Sequence, residues 1–379
     1  MSFSPGPLCA LVGEASAGKS NLLAAIRAVL DPAGAPVTSA DAAEGGDGRI
    51  SIRVTLAGGR EAALEASPGH ETVFEHDAAP TGLFLSAEAR AGTVLAGGST
   101  SGDRADEAVG IFERALAHRR PSRAGRALSL VAALEACCAR RVAGVVLLIE
   151  EPELYLRPQA QRYLYRLLRE FALAGNQVFY STHSPAFLNV TRLDDLVFVE
   201  RLPETGTRAL QPEPVSADED FRVMTEFDAA RSELFLAHAV ILVEGLTEKL
   251  VLPFVFSALG YDVDREAISI IECGGKPNIP LFARICRATG VSFLVVHDSD
   301  RKASGRLVAA ERALNALIAE TAGDHRVVVL DPDFEAVAGL HGNRRKPERA
   351  WKEFAERTSS EMPRQLVRVA ESAVSLARR

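Results

Sequence analysis

The chain has 379 residues, 47% hydrophobic and 25% charged, long enough at roughly 100–200 residues per domain for two or three separate cores. That mixture excludes collagen, coiled-coil and disordered compositions, and the longest clean apolar run, Val145–Ile149, falls far short of the ~20 residues that cross a bilayer. A formal net charge of −7 excludes wholesale electrostatic coating of nucleic acid, though not a local basic groove.

Five cysteines (Cys9, Cys137, Cys138, Cys273 and Cys286) show no CxxC spacing and read as small buried hydrophobes, not as a zinc site or a disulfide framework. No basic segment followed by an apolar one opens the chain, so the sequence predicts a soluble, cytoplasmic protein with no membrane partner.

In chain order, Leu8–Val12 predicts a short buried strand and Asn21–Leu30 a helix. Between them Gly13-Glu14-Ala15-Ser16-Ala17-Gly18-Lys19-Ser20 fits GxxxxGK[ST], the phosphate-binding P-loop. Glycines let backbone N–H groups curl around phosphate oxygens, Lys19 reaches the β- and γ-phosphates, and Ser20 ligates Mg²⁺. Gly13, Ala17, Gly18, Lys19, Ser20 and Asn21 are therefore the candidate nucleotide-binding residues. From 31 to 102 the signal weakens into period-2 runs (Ile50–Leu56, Ala62–Glu65, Leu83–Leu85), which predict an antiparallel β-rich excursion.

Helices are predicted over Ala105–His118 and Ser122–Arg140, then the strongest buried-strand signal of the chain, Gly144–Ile149. It ends in Glu150-Glu151-Pro152-Glu153. A P-loop needs an acid on a neighbouring strand end, and Glu150 is assigned to the Mg²⁺ shell and Glu151 to polarising the attacking water. A helix at Gln159–Ala174 and a strand at Gln177–Tyr180 complete a βαβ unit with a parallel sheet. After that strand, His183 of Ser181-Thr182-His183-Ser184-Pro185 is placed to sense the γ-phosphate. The Pro- and acid-rich stretch Leu202–Asp220 predicts a linker or surface loop.

A second α/β series follows: strand Ala239–Val243, helix Thr247–Leu259, strand Ala267–Ile271, helix Ile279–Thr289, strand Ser292–Val296, helix Leu307–Glu320, strand Arg326–Leu330 and a helical C-terminus. Two of its strands end in acids, in Glu244-Gly245-Leu246-Thr247-Glu248-Lys249 and in Asp298-Ser299-Asp300. Ligands of open parallel sheets bind beyond the carboxyl ends of strands, so the two clusters can converge. Converging carboxylates repel one another, and divalent cations are the natural compensation; two such ions activate water in phosphodiester cleavage. Further on, Asp331-Pro332-Asp333-Phe334-Glu335 and Arg344-Arg345-Lys346 read either as another metal ligand (Glu335) with cations for a scissile phosphate, or as a capped helix start and an exposed basic loop.

The order of P-loop, acidic strand end and strand followed by histidine resembles ABC-type ATPases. Ser122–Ser129 stands where their signature helix lies; its basic run from Arg119 to Arg126 reads equally as a solvated helix face. Glu-Gly-x-Thr-Glu-Lys followed by Asp-x-Asp resembles the Toprim domain. An ABC-type ATPase followed by a Toprim unit resembles the OLD (overcoming lysogenization defect) family of ATP-dependent endonucleases, which includes the nuclease subunit of Gabija-type phage defence.

The resemblance implies an α/β protein. Its ABC-type P-loop ATPase domain would span 1–232 with a shortened N-terminus, and a Rossmann-like, mostly parallel Toprim nuclease domain would span 233–379. It further implies Glu244, Glu248, Asp298, Asp300 and Glu335 as metal ligands and Lys346 as an aid to cleavage. Glu151, His183, Glu244, Asp298 and Lys346 are then the catalytic candidates. ATP and Mg²⁺ or Mn²⁺ are the implied cofactors. DNA, a homodimer or higher homo-oligomer and a helicase-like protein are the implied partners, in phage defence or DNA repair. The alternative is an ATP-driven switch whose Toprim unit binds nucleic acid or an effector without cutting. Departures from the family are the few residues ahead of Leu8, the missing helical dimerisation insert, and Tyr155 and Arg157 where relatives carry histidine.

Overall fold

A computed structural model describes residues 2–31, 37, 49–55, 61–67, 72–76, 81–85, 103–117, 123–188, 193–202, 206–212, 230–302, 304–340 and 346–378. The chain divides into two compact units, Met1–Pro214 and Val215–Arg379. The stretch in which that division and the predicted boundary after 232 both fall is largely outside the described residues.

The first unit is built on a six-stranded sheet. Its elements are β1 (Leu8–Val12), α1 (Lys19–Leu30), β2 (Ile50–Thr55), β3 (Glu61–Ala66), β4 (Val73–His76), β5 (Thr81–Leu85), α2 (Asp103–Ala117), α3 (Arg123–Ala139), β6 (Val145–Glu150), α4 (Pro158–Leu173), β7 (Gln177–Thr182), α5 (Pro185–Leu188), β8 (Leu196–Leu202) and β9 (Gly206–Leu210). The sheet order is β5-β6-β7-β1-β8-β9, parallel except for β9. Val145 to Ile149 are all buried, the continuous apolar pattern of a strand covered on both faces. Helix α4 starts with Pro158 in its first turn and buries Leu164, Leu167, Leu168 and Phe171, one stripe at helical spacing. Buried Asn176 ties the chain between α4 and β7 to the start of β6: its Oδ1 accepts from Val145 N–H, and its Nδ2 donates to the Val142 and Phe171 carbonyls.

The predicted excursion is split. β2, β3 and β4 do form a small antiparallel sheet, and β3 buries Ala62, Leu64 and Ala66 against Ala28 and Val29 of α1. Leu83–Leu85 does not belong to it. That segment lies in β5, parallel to β6 in the main sheet. Its Leu-Phe-Leu run does not alternate apolar with polar residues, so it lacks the signature of a half-solvated antiparallel strand. The predicted linker is also shorter than expected: Leu202 ends β8, and β9 pairs back on it as an antiparallel hairpin. The remainder of that stretch, 213–220, lies outside the described residues.

The second unit holds a four-stranded, fully parallel sheet in the order β11-β10-β12-β13. Its elements are β10 (Ala239–Val243), α6 (Leu246–Ala258), β11 (Ile268–Glu272), α7 (Ile279–Thr289), β12 (Ser292–Asp298), α8 (Ala309–Ala322), β13 (Val327–Leu330), α9 (Phe334–Ala338), α10 (Lys346–Glu356) and α11 (Arg364–Ala377). All five residues of β10 are buried. One core cluster joins β10 and β12 to α6, α10 and α11 through Ile241, Val255, Phe256, Phe354, Leu366 and Val369. Among the described residues no helix is long and apolar enough to cross a membrane.

Candidate functional site

Each unit gathers its polar side chains at the carboxyl ends of its central strands. In the first unit β6, β7 and β1 are neighbours, with Glu150 beside Ser181 and Val12 beside Thr182. The P-loop, the acidic strand end and His183 therefore emerge side by side, as the motif order predicts. Gly13 follows β1 at φ +153° and Gly18 caps α1 at +109°. Lys19 is buried, and its Nζ donates to the Gly13 and Glu14 carbonyls at 2.7 and 2.6 Å, folded across the loop that cradles phosphate. Burial pulls its pKa below the ordinary lysine value, against the pull of Glu151, Glu153 and Glu14. Ser20 and Asn21 are exposed in the first turn of α1, and Ala17 is buried beneath the loop.

Glu151 stands at φ +44°, a left-handed conformation unusual for a side-chain-bearing residue. Its Oε1 lies 3.7 Å from Nε2 of His183. Burial, and then Lys19, hold the His183 imidazole below its ordinary value, with Glu151 opposing. Sequence reasoning missed Glu153. It is 7% exposed, its Oε1 accepts from Thr182 Oγ1 and from His183 N–H at 2.8 Å each, and its Oε2 is buried without a hydrogen-bond partner. Burial pushes its carboxyl pKa up, against those two hydrogen bonds. Glu153 thus fixes the backbone from which His183 projects.

Of the signature-helix stretch, Arg119–Ser122 lie outside the described residues, and Arg123 opens α3.

In the second unit Val243 pairs with Val296, so Glu244 emerges next to the end of β12. Glu244 Oε1 accepts from Asp298 N–H at 2.7 Å, and Asp298 Oδ1 accepts from Phe334 N–H at 2.8 Å. The ends of β10 and β12 and the start of α9 are thus joined through two carboxylates. Burial first, then Glu244 and Glu248, push the Asp298 carboxyl up to about 8. Buried Glu248, in the first turn of α6, rises to about 7 from burial first and then from Glu244 and Glu335. Glu244 also shifts up through burial, opposed by the Asp298 N–H and by Lys276. Asp300 sits at φ +55°, a second site carboxylate in left-handed backbone. His297, 2% exposed, lies with Nδ1 2.8 Å from the Asp298 carbonyl oxygen.

Lys276 was also absent from the sequence reading. It is buried, and its Nζ donates to Asp298 O, Asp300 Oδ2 and Glu311 Oε2. A lysine straight after Gly274-Gly275 at a strand end was the available signal. At the third acidic segment the capped helix start is present. Asp333 caps α9 by accepting from Ala336 N–H, while Glu335 pairs with Lys346 at 2.8 Å. Asp333 and Asp298 act on Lys346 as well, so that cation stands at the margin of the cluster. Arg344 and Arg345 lie outside the described residues.

Among the described residues no three acids, histidines or cysteines are already arranged around one ion position. Oxygens of Glu244, Asp298 and Asp300 are engaged by Asp298 N–H, Phe334 N–H and Lys276. The donor set still suits a hard divalent cation. It is all carboxylate, and two of its members are pushed toward neutrality by burial and mutual repulsion, a penalty that a dication relieves.

Residues 124–188 match the family model described as AAA ATPase domain, and residues 235–300 match that described as Overcoming lysogenization defect protein-like, TOPRIM domain. Over 219 residues the chain is 37% identical to the OLD nuclease of Thermus scotoductus (strain ATCC 700910 / SA-01), an alignment covering 52% of this chain and 41% of that protein. Over that stretch the chain is similar to the OLD nucleases. Its ATPase domain precedes its Toprim domain. It is also 28% identical over 162 residues to the Old nuclease of Escherichia phage P2, covering 41% of this chain and 28% of that one. The chain therefore spans under half the length of either relative. Among solved structures, the C-terminal region of the Burkholderia pseudomallei OLD protein is 17% identical and covers 37% of this chain and 98% of that chain, at a TM-score of 0.29.

Proposed function

We propose that this protein is an ATP-dependent DNA endonuclease, in which the ATPase domain gates phosphodiester hydrolysis at the Toprim site with Mg²⁺ or Mn²⁺. The observation that carries the reading is the joining of Glu244 to Asp298, at 2.7 Å, beside a Glu248 carboxyl raised to about 7. Such a cluster is costly to maintain unless it serves a cation.

At the ATPase site, the P-loop amides and Lys19 would hold the nucleotide phosphates, with Ser20 and Glu150 on the accompanying Mg²⁺. Glu151 orients the attacking water, and His183 stands beside it, uncharged at neutral pH, to report on the γ-phosphate. At the Toprim site, Glu244, Glu248, Asp298, Asp300 and Glu335 are the proposed metal ligands. A bound divalent cation supplies an activated water and charge for the leaving oxygen. Lys346, tied to Glu335, supplies positive charge for the scissile phosphate. DNA is the proposed substrate. A homo-oligomer, a helicase-like partner, residence in the cytoplasm and a role in phage defence or DNA repair belong to the same reading.

The test is cleavage of supercoiled and linear DNA with Mg²⁺ or Mn²⁺, with and without ATP, by the wild type and by Asp298→Ala and Lys19→Ala. Asp298→Ala is expected to lose nicking while retaining ATP hydrolysis, and Lys19→Ala to lose ATP hydrolysis. No cleavage by the wild type with either metal overturns the reading in favour of a non-cutting switch.

A further inference from the structure

The carboxylate cluster of the Toprim domain contains a cation of its own. Lys276 opens a single helical turn, Lys276–Asn278, after the glycine pair that follows β11. Its side chain is 6% exposed, and Nζ donates to Asp298 O at 2.7 Å, Asp300 Oδ2 at 2.6 Å and Glu311 Oε2 at 3.3 Å. An ammonium has three N–H donors, so its capacity is filled.

The segment that carries it is pinned to β10. Cys273 N–H donates to Val243 O at 2.9 Å, Gly275 N–H to Glu244 O at 2.8 Å, and Asn278 Nδ2 to Cys273 O at 3.0 Å. The ammonium therefore keeps a fixed place between the ends of β10 and β12, with α8 contributing Glu311. A buried lysine persists only where acids repay its lost hydration; here the carboxylates of Asp300 and Glu311 do so, and the Asp298 backbone carbonyl is the third acceptor.

We propose that Lys276 is the resident counter-ion of this cluster: it occupies Asp300 Oδ2, partly neutralises the acids around it, and so sets how tightly a divalent cation binds. The inference rests on the reading of the cluster as the metal site. Lys276 is a positioning residue, acting through Asp300 and through the field it casts on Glu244, whose carboxyl it pulls down. Electrostatics fixes the sign. An ammonium beside the ligands repels an incoming dication and competes for Asp300, so removing its charge tightens metal binding and destabilises the metal-free protein. A lysine that merely packs would cost stability and leave metal affinity alone. A lysine that templates the ligands would, on removal, weaken binding.

The experiment uses the full chain with Mn²⁺ as the probe, by titration calorimetry and electron paramagnetic resonance, and thermal melts in EDTA and in Mn²⁺. Lys276→Met and Lys276→Gln are expected to bind Mn²⁺ about tenfold more tightly than wild type, the effect of deleting one unit charge ~6 Å from a dication at a water-like dielectric. Both should melt lower in EDTA and gain more from Mn²⁺ than the wild type does, while Lys276→Arg should stay close to wild-type affinity. A neutral variant that folds only with Mn²⁺ supports the proposal; the glutamine, which keeps N–H donors, serves where the methionine variant fails to fold. Unchanged or weaker Mn²⁺ binding in the neutral variants overturns the role of Lys276 and leaves the metal site standing. No Mn²⁺ binding by the wild type overturns both.

Discussion

At Gly13 the backbone runs at φ +153°, and a Cβ built there would stand 2.0 Å from the Val199 carbonyl oxygen. That oxygen is backbone of β8 and cannot swing aside. Gly144 shares a positive φ, +85°, but a Cβ there meets nothing within 4 Å. Gly13→Ala should therefore cost roughly 3 kcal/mol or more, the sum of the positive-φ penalty and a backbone clash, and Gly144→Ala only about 1 kcal/mol. Denaturant unfolding of the two variants checks this; equal losses would mean that β8 does not press on the loop. The motif glycines were legible because their spacing is local, eight consecutive residues with one job. Glu153 and Lys276 were not, because what distinguishes them is burial against residues 29 and 22 positions away, Thr182 and Asp298. The left-handed backbone at Glu151 was equally invisible, since glutamate rarely adopts it, whereas aspartate visits that region more readily, as Asp300 does.

The strand ends of the Toprim domain act as a unit. Asp298 and Glu248 have folded-state pKa values of about 8 and about 7, well above the ~4 of the unfolded chain. The folded protein therefore holds protons that the unfolded chain releases, and stability falls as pH rises from about 4 through 8, with the penalty complete above that window. Melting in EDTA should drop by roughly 5 °C between about pH 5.5 and about pH 8.5 beyond the drop shown by Asp298→Asn. Mn²⁺ should restore most of it at the higher pH and little at the lower. A wild-type profile that parallels Asp298→Asn would sink the assignment. Here the sequence reading reached the right strands, since the apolar runs Ala239–Val243 and Phe293–Val296 are closely followed by acids. It misplaced Leu83–Leu85 and stopped short of β8 and β9, because pairing partners lie far along the chain: β5 finds β6 more than 60 residues away, and β8 finds β1 at the start. Short strands carry too little periodicity to announce such neighbours.

Each unit carries its own buried core. One cluster spans β10 to α11 within the second unit, and another joins β1, α1, β6, β7 and β8 within the first. Residues 230–379 expressed alone should therefore unfold in one cooperative transition and bind Mn²⁺ about as tightly as the full chain, by circular dichroism and calorimetry. A non-cooperative melt would show that the Toprim domain needs the ATPase domain to fold. At this scale the sequence by itself determined the α/β class, the two successive domains, the P-loop and the acids at the strand ends, because each is written in a contiguous run whose residue types allow few other conformations. Tertiary structure alone decided which strands are neighbours, that Glu244 reaches the backbone of Asp298, and that Lys276 enters the acid cluster. Those outcomes come from packing segments remote in the chain, where burial raises the cost of each unpaired charge and so selects its partner.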